Sequence, residues 1–116
     1  MLIERKVHRE NNNEKNEIGY IESVFDSTNI LRTTYFPKQE RLYISFGRGD
    51  TYSYSNITES IYKKFEEAES QGKFFITEIK KKPKDFPFRK EFSLYPWEIE
   101  EVRKIITEKK NDDENR

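Results

Sequence analysis

The sequence predicts an α+β fold in a single domain: an antiparallel β-meander of three to four strands packed by one amphipathic helix, with a second helix added at the C-terminus. Three observations predict it. Apolar and polar residues alternate with period two through Leu42-Tyr43-Ile44-Ser45-Phe46 and again through Thr51–Ser55, the mark of strands with one buried face. The period then changes to 3.6, with Ile57, Ile61, Phe65 and Ala68 at helical spacing. Finally, 116 residues are enough for one ordinary core and not for two.

The elements follow in chain order. Leu2 to Val7 is a possible short strand, and Asn11–Glu17, NNNEKNE, is too polar to gain from burial, so residues 1–22 read as an N-terminal arm with a flexible loop. Ile30 opens ILRTTYF, rich in β-branched and aromatic residues, and PKQE supplies the turn into RLYISF. In GRGD, two glycines and an aspartate provide the positive-φ positions of a tight hairpin leading to TYSYS. Tyr52 and Tyr54 therefore share one strand face, with Thr51, Ser53 and Ser55 on the other. A helix is expected over Thr58–Ser70, capped at its start by Asn56 or Thr58 and stopped at Gly72. Pro83 and Pro87 forbid regular helix or central strand in the basic text around them. A last helix starts at Pro96, with Glu98, Glu100 and Glu101 near its positive end and a buried stripe of Ile99, Val102 and Ile106, and NDDENR is expected to fray. The resulting division is 1–22, 23–90 and 91–116.

Composition narrows the function. Charged residues are 38% of the chain and hydrophobic ones 33%, yet aromatics reach 15%, so the core should be built from rings. With 22 basic and 22 acidic residues the formal charge is zero, and any basic footprint must be local. The absence of cysteine excludes disulfides, thiolate metal sites and cysteine nucleophiles, and suits a cytoplasmic setting. The N-terminal residues lack the apolar run of a signal peptide, and no stretch of roughly 18 apolar residues is present, so no membrane partner is expected. His8 is the single histidine, which leaves triads and histidine metal sites without their central member. No catalytic residues, metal ligands or cofactor are expected.

In motif order the chain resembles the KTSC domain, the short module named after the C-terminus of certain lysyl-tRNA synthetases and also found as a stand-alone protein in bacteria and phages. The resemblance is carried by Asp26-Ser27-Thr28-Asn29-Ile30, by Tyr35, by Leu42-x-Ile44-x-Phe46 and by Tyr52-Ser53-Tyr54. It continues through Ala68-Glu69-Ser70-Gln71-Gly72, Phe74-Phe75 and Phe86-Pro87-Phe88, and so covers Asp26 to Lys90. Two positions depart from the family pattern: Thr58 stands where proline is usual, and Ile76 where asparagine often follows the paired aromatics. The resemblance implies RNA binding only through the family's attachment to a tRNA synthetase, an association and not a mechanism.

The residues themselves offer two candidate surfaces. Lys80, Lys81, Lys82, Lys84, Arg89 and Lys90 place six positive charges within eleven residues, interleaved with Phe86 and Phe88. Cations at that density can neutralise phosphates while rings stack on unpaired bases. Tyr52 and Tyr54 are the matching stacking candidates, so the expected partner is RNA or single-stranded nucleic acid. The alternative for the strip is a solvated loop whose phenylalanines pack inward, and the alternative for the tyrosines is the core beneath the helix. The other candidate surface is Tyr95 with Trp97, the anchor of a protein-interaction module, which could be a phage-encoded factor acting on a host protein. Its competing reading is a ring that clamps the last helix onto the domain.

Overall fold

A computed structural model describes residues 1–10 and 17–114. Its centre is one antiparallel sheet of six strands in sequence order, β1 (Leu2–Arg9), β2 (Ile18–Phe25), β3 (Ile30–Phe36), β4 (Arg41–Phe46), β5 (Asp50–Tyr54) and β6 (Phe88–Ser93). The meander is thus longer than the three to four strands expected. The strand read at Leu2–Val7 runs on to Arg9 and pairs along its length with β2. At the other edge, β6 forms directly after Pro87, where the prolines suggested irregular chain. The strands with no counterpart in the reading are β2, left unassigned between the polar loop and Ile30, and β6, whose charge weakens the period-two signal. An outer strand tolerates this because one of its edges meets solvent. Most of the loop expected over Asn11–Glu17 lies outside the described residues.

The first helix, α1 (Glu59–Glu67), begins where expected, with the Thr58 hydroxyl accepting the Ile61 N–H at 3.3 Å. It stops short of Ser70 because another residue takes over its carbonyls. The fully buried Gln71 donates its side-chain amide towards the carbonyls of Phe65, Glu66 and Ala68 at 3.4, 3.2 and 2.8 Å, serving the acceptors a helix end leaves open. Ser70 then caps a second turn, α2 (Gln71–Phe74), which continues as a wide π-helical segment over Phe75–Lys80. Gly72 accordingly sits inside this second segment and does not end the first. The last helix, α3 (Pro96–Glu114), runs through most of the NDDENR tail expected to fray.

Helices cover both faces of the sheet. On the first face, Ile21, Phe25, Ile30, Tyr35, Leu42, Ile44 and Tyr54 meet Ile57, Tyr62, Phe65, Phe75 and Ile79. Rings supply half of this core: Tyr35 stacks on Tyr62 at 4.2 Å, and Phe25 meets Phe65 edge-on at 5.5 Å. Their buried hydroxyls are served, with Tyr35 donating to the Ile57 carbonyl at 2.7 Å and Ser23 sharing a 3.1 Å bond with the Tyr62 hydroxyl. On the second face, the predicted stripe of Ile99, Val102 and Ile106 packs on Val24, Leu31 and Leu94. Ser45 and Thr51, read as the solvent side of their strands, are therefore buried and bonded to each other at 2.8 Å.

The β4–β5 turn holds α3 in place. Gly49 has φ of 100°, and a Cβ there would lie 2.9 Å from Ile99 Cδ1 and 3.2 Å from the Leu94 carbonyl. Only glycine meets both demands. Arg103 reaches back from α3 to donate to the Gly47 carbonyl at 2.9 Å. Among the described residues, no helix is long and apolar enough to cross a membrane.

Candidate nucleic-acid interface

The two tyrosines of β5 share a face but not a setting. Tyr54 lies opposite Leu42, beneath the π-helical segment, 6% exposed and 5.1 Å edge-on to Phe75. Burial pushes its phenol far above the usual tyrosine range. Tyr52 lies two pairs further along, opposite Ile44, and it is half-buried. Phe46 meets it edge-on at 6.1 Å, and Phe88 from β6 tilts over it at 6.3 Å.

These rings floor a groove. Its first hollow, about 330 Å³, lies between Tyr52, Tyr54, Phe75, Ile79, Phe86 and Phe88. A second, about 540 Å³, shares Phe46, Tyr52, Phe75 and Lys80 with the first and extends to Thr28, Asn29, Arg48, Asp50, Gly72 and Arg103. A third, about 470 Å³, shares Thr28, Asn29, Gly72 and Ile76 with the second and ends beside Ser27, Lys73 and the carboxylates of Asp26 and Glu69. The wide helical turn shapes one wall: Phe75 and Ile79 turn into the core, while Ile76 and Lys80, one place further on, are exposed at the lip. Ser27 holds the opposite corner by accepting the backbone N–H of Ile30 at 3.3 Å, as its place before a strand suggests.

Electrostatics favour an anion along the second hollow, where Arg48, Lys80 and Arg103 face one carboxylate, Asp50. That carboxylate is already engaged by Lys90 at 3.6 Å and by the Ser93 hydroxyl at 3.0 Å. The basic strip is divided by the fold. Lys80 lies on the lip, and Lys90 pairs in register with Tyr52. Lys81, Lys82 and Lys84 are exposed in the turn beyond the π-helical segment, Lys82 paired with Glu78 at 3.3 Å. Arg89 registers with Ser53 on the other face, 2.5 Å from Glu91. That carboxylate also accepts from Ser53, and both interactions hold its pKa below the usual value, the Ser53 bond most strongly.

Sequence reasoning missed Arg48 and Arg103. Arg48 lay inside GRGD, whose glycines drew the whole motif into turn chemistry, although a cation between two glycines beside the Tyr52 strand was a usable signal. Arg103 carried no signal, because only the docking of α3 brings it to the groove. His8, placed in an arm by the sequence, stands on β1 stacked on Tyr20 at 4.2 Å, with Nε2 at 3.5 Å from Glu22. Tyr95 and Trp97 correct the expected clamp. They are 66% and 59% exposed, and Leu94, Ile99 and Val102 hold α3 instead.

The sequence model of the KTSC domain matches residues 26–82. The crystal structure of a KTSC domain protein from Yersinia pestis superposes with a TM-score of 0.56 at 34% identity, covering 61% of this chain and 96% of that one. The chain belongs to the KTSC domain family. Among curated proteins no relative matches. The KTSC segment 26–82 contains Asn29, Phe46, Arg48, Tyr52, Phe75 and Lys80 of the groove, while Phe88 and Arg103 are added from β6 and α3.

Proposed function

We propose that this KTSC protein is a non-catalytic binder of RNA or other single-stranded nucleic acid, and that the strand occupies the Tyr52 groove. One observation carries the reading: a half-buried tyrosine, walled by Phe46 and Phe88, opens into a hollow lined by Arg48, Lys80 and Arg103 against a single, already engaged carboxylate. Rings that keep part of a face open can stack bases of any sequence, and cations beside them track the phosphates. Three connected hollows suit a run of nucleotides better than one small ligand. The chemistry on offer is stacking and charge neutralisation, so the role is binding and not turnover.

The test is a fluorescence-anisotropy titration of labelled oligouridine RNA over a salt series. Affinity is expected to fall steeply as salt rises, and the double variant Arg48→Glu/Lys80→Glu is expected to flatten the log–log slope by about 0.7 for each phosphate it no longer neutralises. Binding that ignores ionic strength, or an unchanged slope in the double variant, would contradict the proposal.

A further inference from the structure

Tyr95 and Trp97 form the most exposed aromatic pair among the described residues, and the fold makes no use of them. Their rings are nearly parallel, 8° apart with centroids at 6.4 Å, and neither belongs to the apolar cluster that docks α3. Their surroundings are acidic. Glu98 accepts the Tyr95 N–H at 3.0 Å and so fixes the approach to the helix. Glu100 and Glu101 follow Trp97 by three and four residues, which brings their carboxylates to the indole's side of α3. No described cation forms an ion pair with any of the three glutamates. The opposing terms are the positive end of the helix and Lys104, four residues beyond Glu100 and three beyond Glu101, which leaves three carboxylates facing one lysine.

We infer that the Tyr95–Trp97 pair, with Glu100 and Glu101, is a docking point for an arginine-bearing segment of a partner protein. A cation within about 6 Å of an aromatic centroid is attracted to the ring face, most strongly for tryptophan. The guanidinium fits better than an ammonium, since it is planar, stacks on rings, loses hydration more readily and pairs with carboxylates through a fork of donors. Single-stranded nucleic acid is the wrong occupant here, because its phosphates would meet uncompensated carboxylates. The surface is separate from the Tyr52 groove and does not depend on that assignment.

Trp97 is the only tryptophan in the chain, so its emission reports on this surface alone. The full-length protein is titrated with a short arginine peptide, a lysine peptide of equal length and a glycine–serine peptide. The expected result is a saturable change in Trp97 emission with arginine, several-fold weaker with lysine and absent with glycine–serine. The variant Glu100→Gln/Glu101→Gln should bind the arginine peptide more weakly, by on the order of tenfold. Tyr95→Ala should lose the preference for arginine over lysine, with its thermal melt unchanged because the ring is solvent-facing. An emission that does not saturate with arginine would overturn the inference, as would undiminished binding in the glutamine variant. So would a Trp97 response to single-stranded RNA in place of the peptide.

Discussion

Tyr52 and Tyr54 are separated by one serine, stand on the same face of β5, and belong to different regions of the molecule. Around Tyr54 the sheet is closed by the π-helical segment, and the ring is core. Around Tyr52 a hollow separates the sheet from Phe75, Ile76 and Lys80 of the helical segment, and the ring floors a groove whose lip carries the cations. What separates them is not strand chemistry but how closely the helical segment packs over each ring.

The comparison can be broken by mutation. The largest effect is expected on the closed side: Phe65→Ala and Tyr54→Ala should each destabilise the fold by roughly 3–5 kcal/mol, as for other large rings removed from a core, measured by urea denaturation. Tyr52→Ala should cost only about 1 kcal/mol, the centre of the range for point substitutions. A similar loss of stability at Tyr52 and Tyr54 would erase the distinction.

Next in size is the helix end that shapes the groove. Gln71→Ala leaves the carbonyls of Phe65, Glu66 and Ala68 without their buried donor and should cost about 1–3 kcal/mol. Hydrogen exchange should then show the last turn of α1 opening ahead of the sheet. Protection equal to wild type would show that solvent replaces the amide without penalty.

A smaller and reversible effect comes from alkali. Burial, the largest cause, raises the Tyr35 phenol from 10.0 to about 12 and pushes those of Tyr54 and Tyr62 higher still. Each group is held neutral in the folded state while the unfolded chain ionises near 10. The native protein then keeps protons the unfolded chain has lost, and stability falls as pH rises from about 10 towards 12. Tyr35→Phe should shift this alkaline transition upward in a circular-dichroism titration, and an unmoved midpoint would count against the burial of that hydroxyl.

The middle of the fold was legible in the sequence because each element there obeyed its own period: Leu42, Ile44 and Phe46 in β4, Ile57, Ile61 and Phe65 towards α1. The edges were not. In β1 and β6, charged residues such as Arg5, Lys6, Arg89 and Lys90 occupy positions that an outer strand can leave to solvent, and the alternation fades. The split between Tyr52 and Tyr54 was illegible for a different reason. It depends on Gln71 ending α1 early and on the turn at Phe75, tertiary facts with no local mark in the chain. The basic strip was visible as composition, but strand register decides which of its members face the groove, sending Lys90 to the Tyr52 side and Arg89 to the other.

The most direct test of the central claim is the affinity of Tyr52→Ala for oligouridine RNA at low salt, measured beside wild type with folding confirmed by thermal melt. The loss of one stacking ring should weaken binding by about 1–3 kcal/mol while the protein stays folded. Wild-type affinity in the folded variant would contradict the claim that the open end of the sheet, floored by Tyr52, is where the ligand lies.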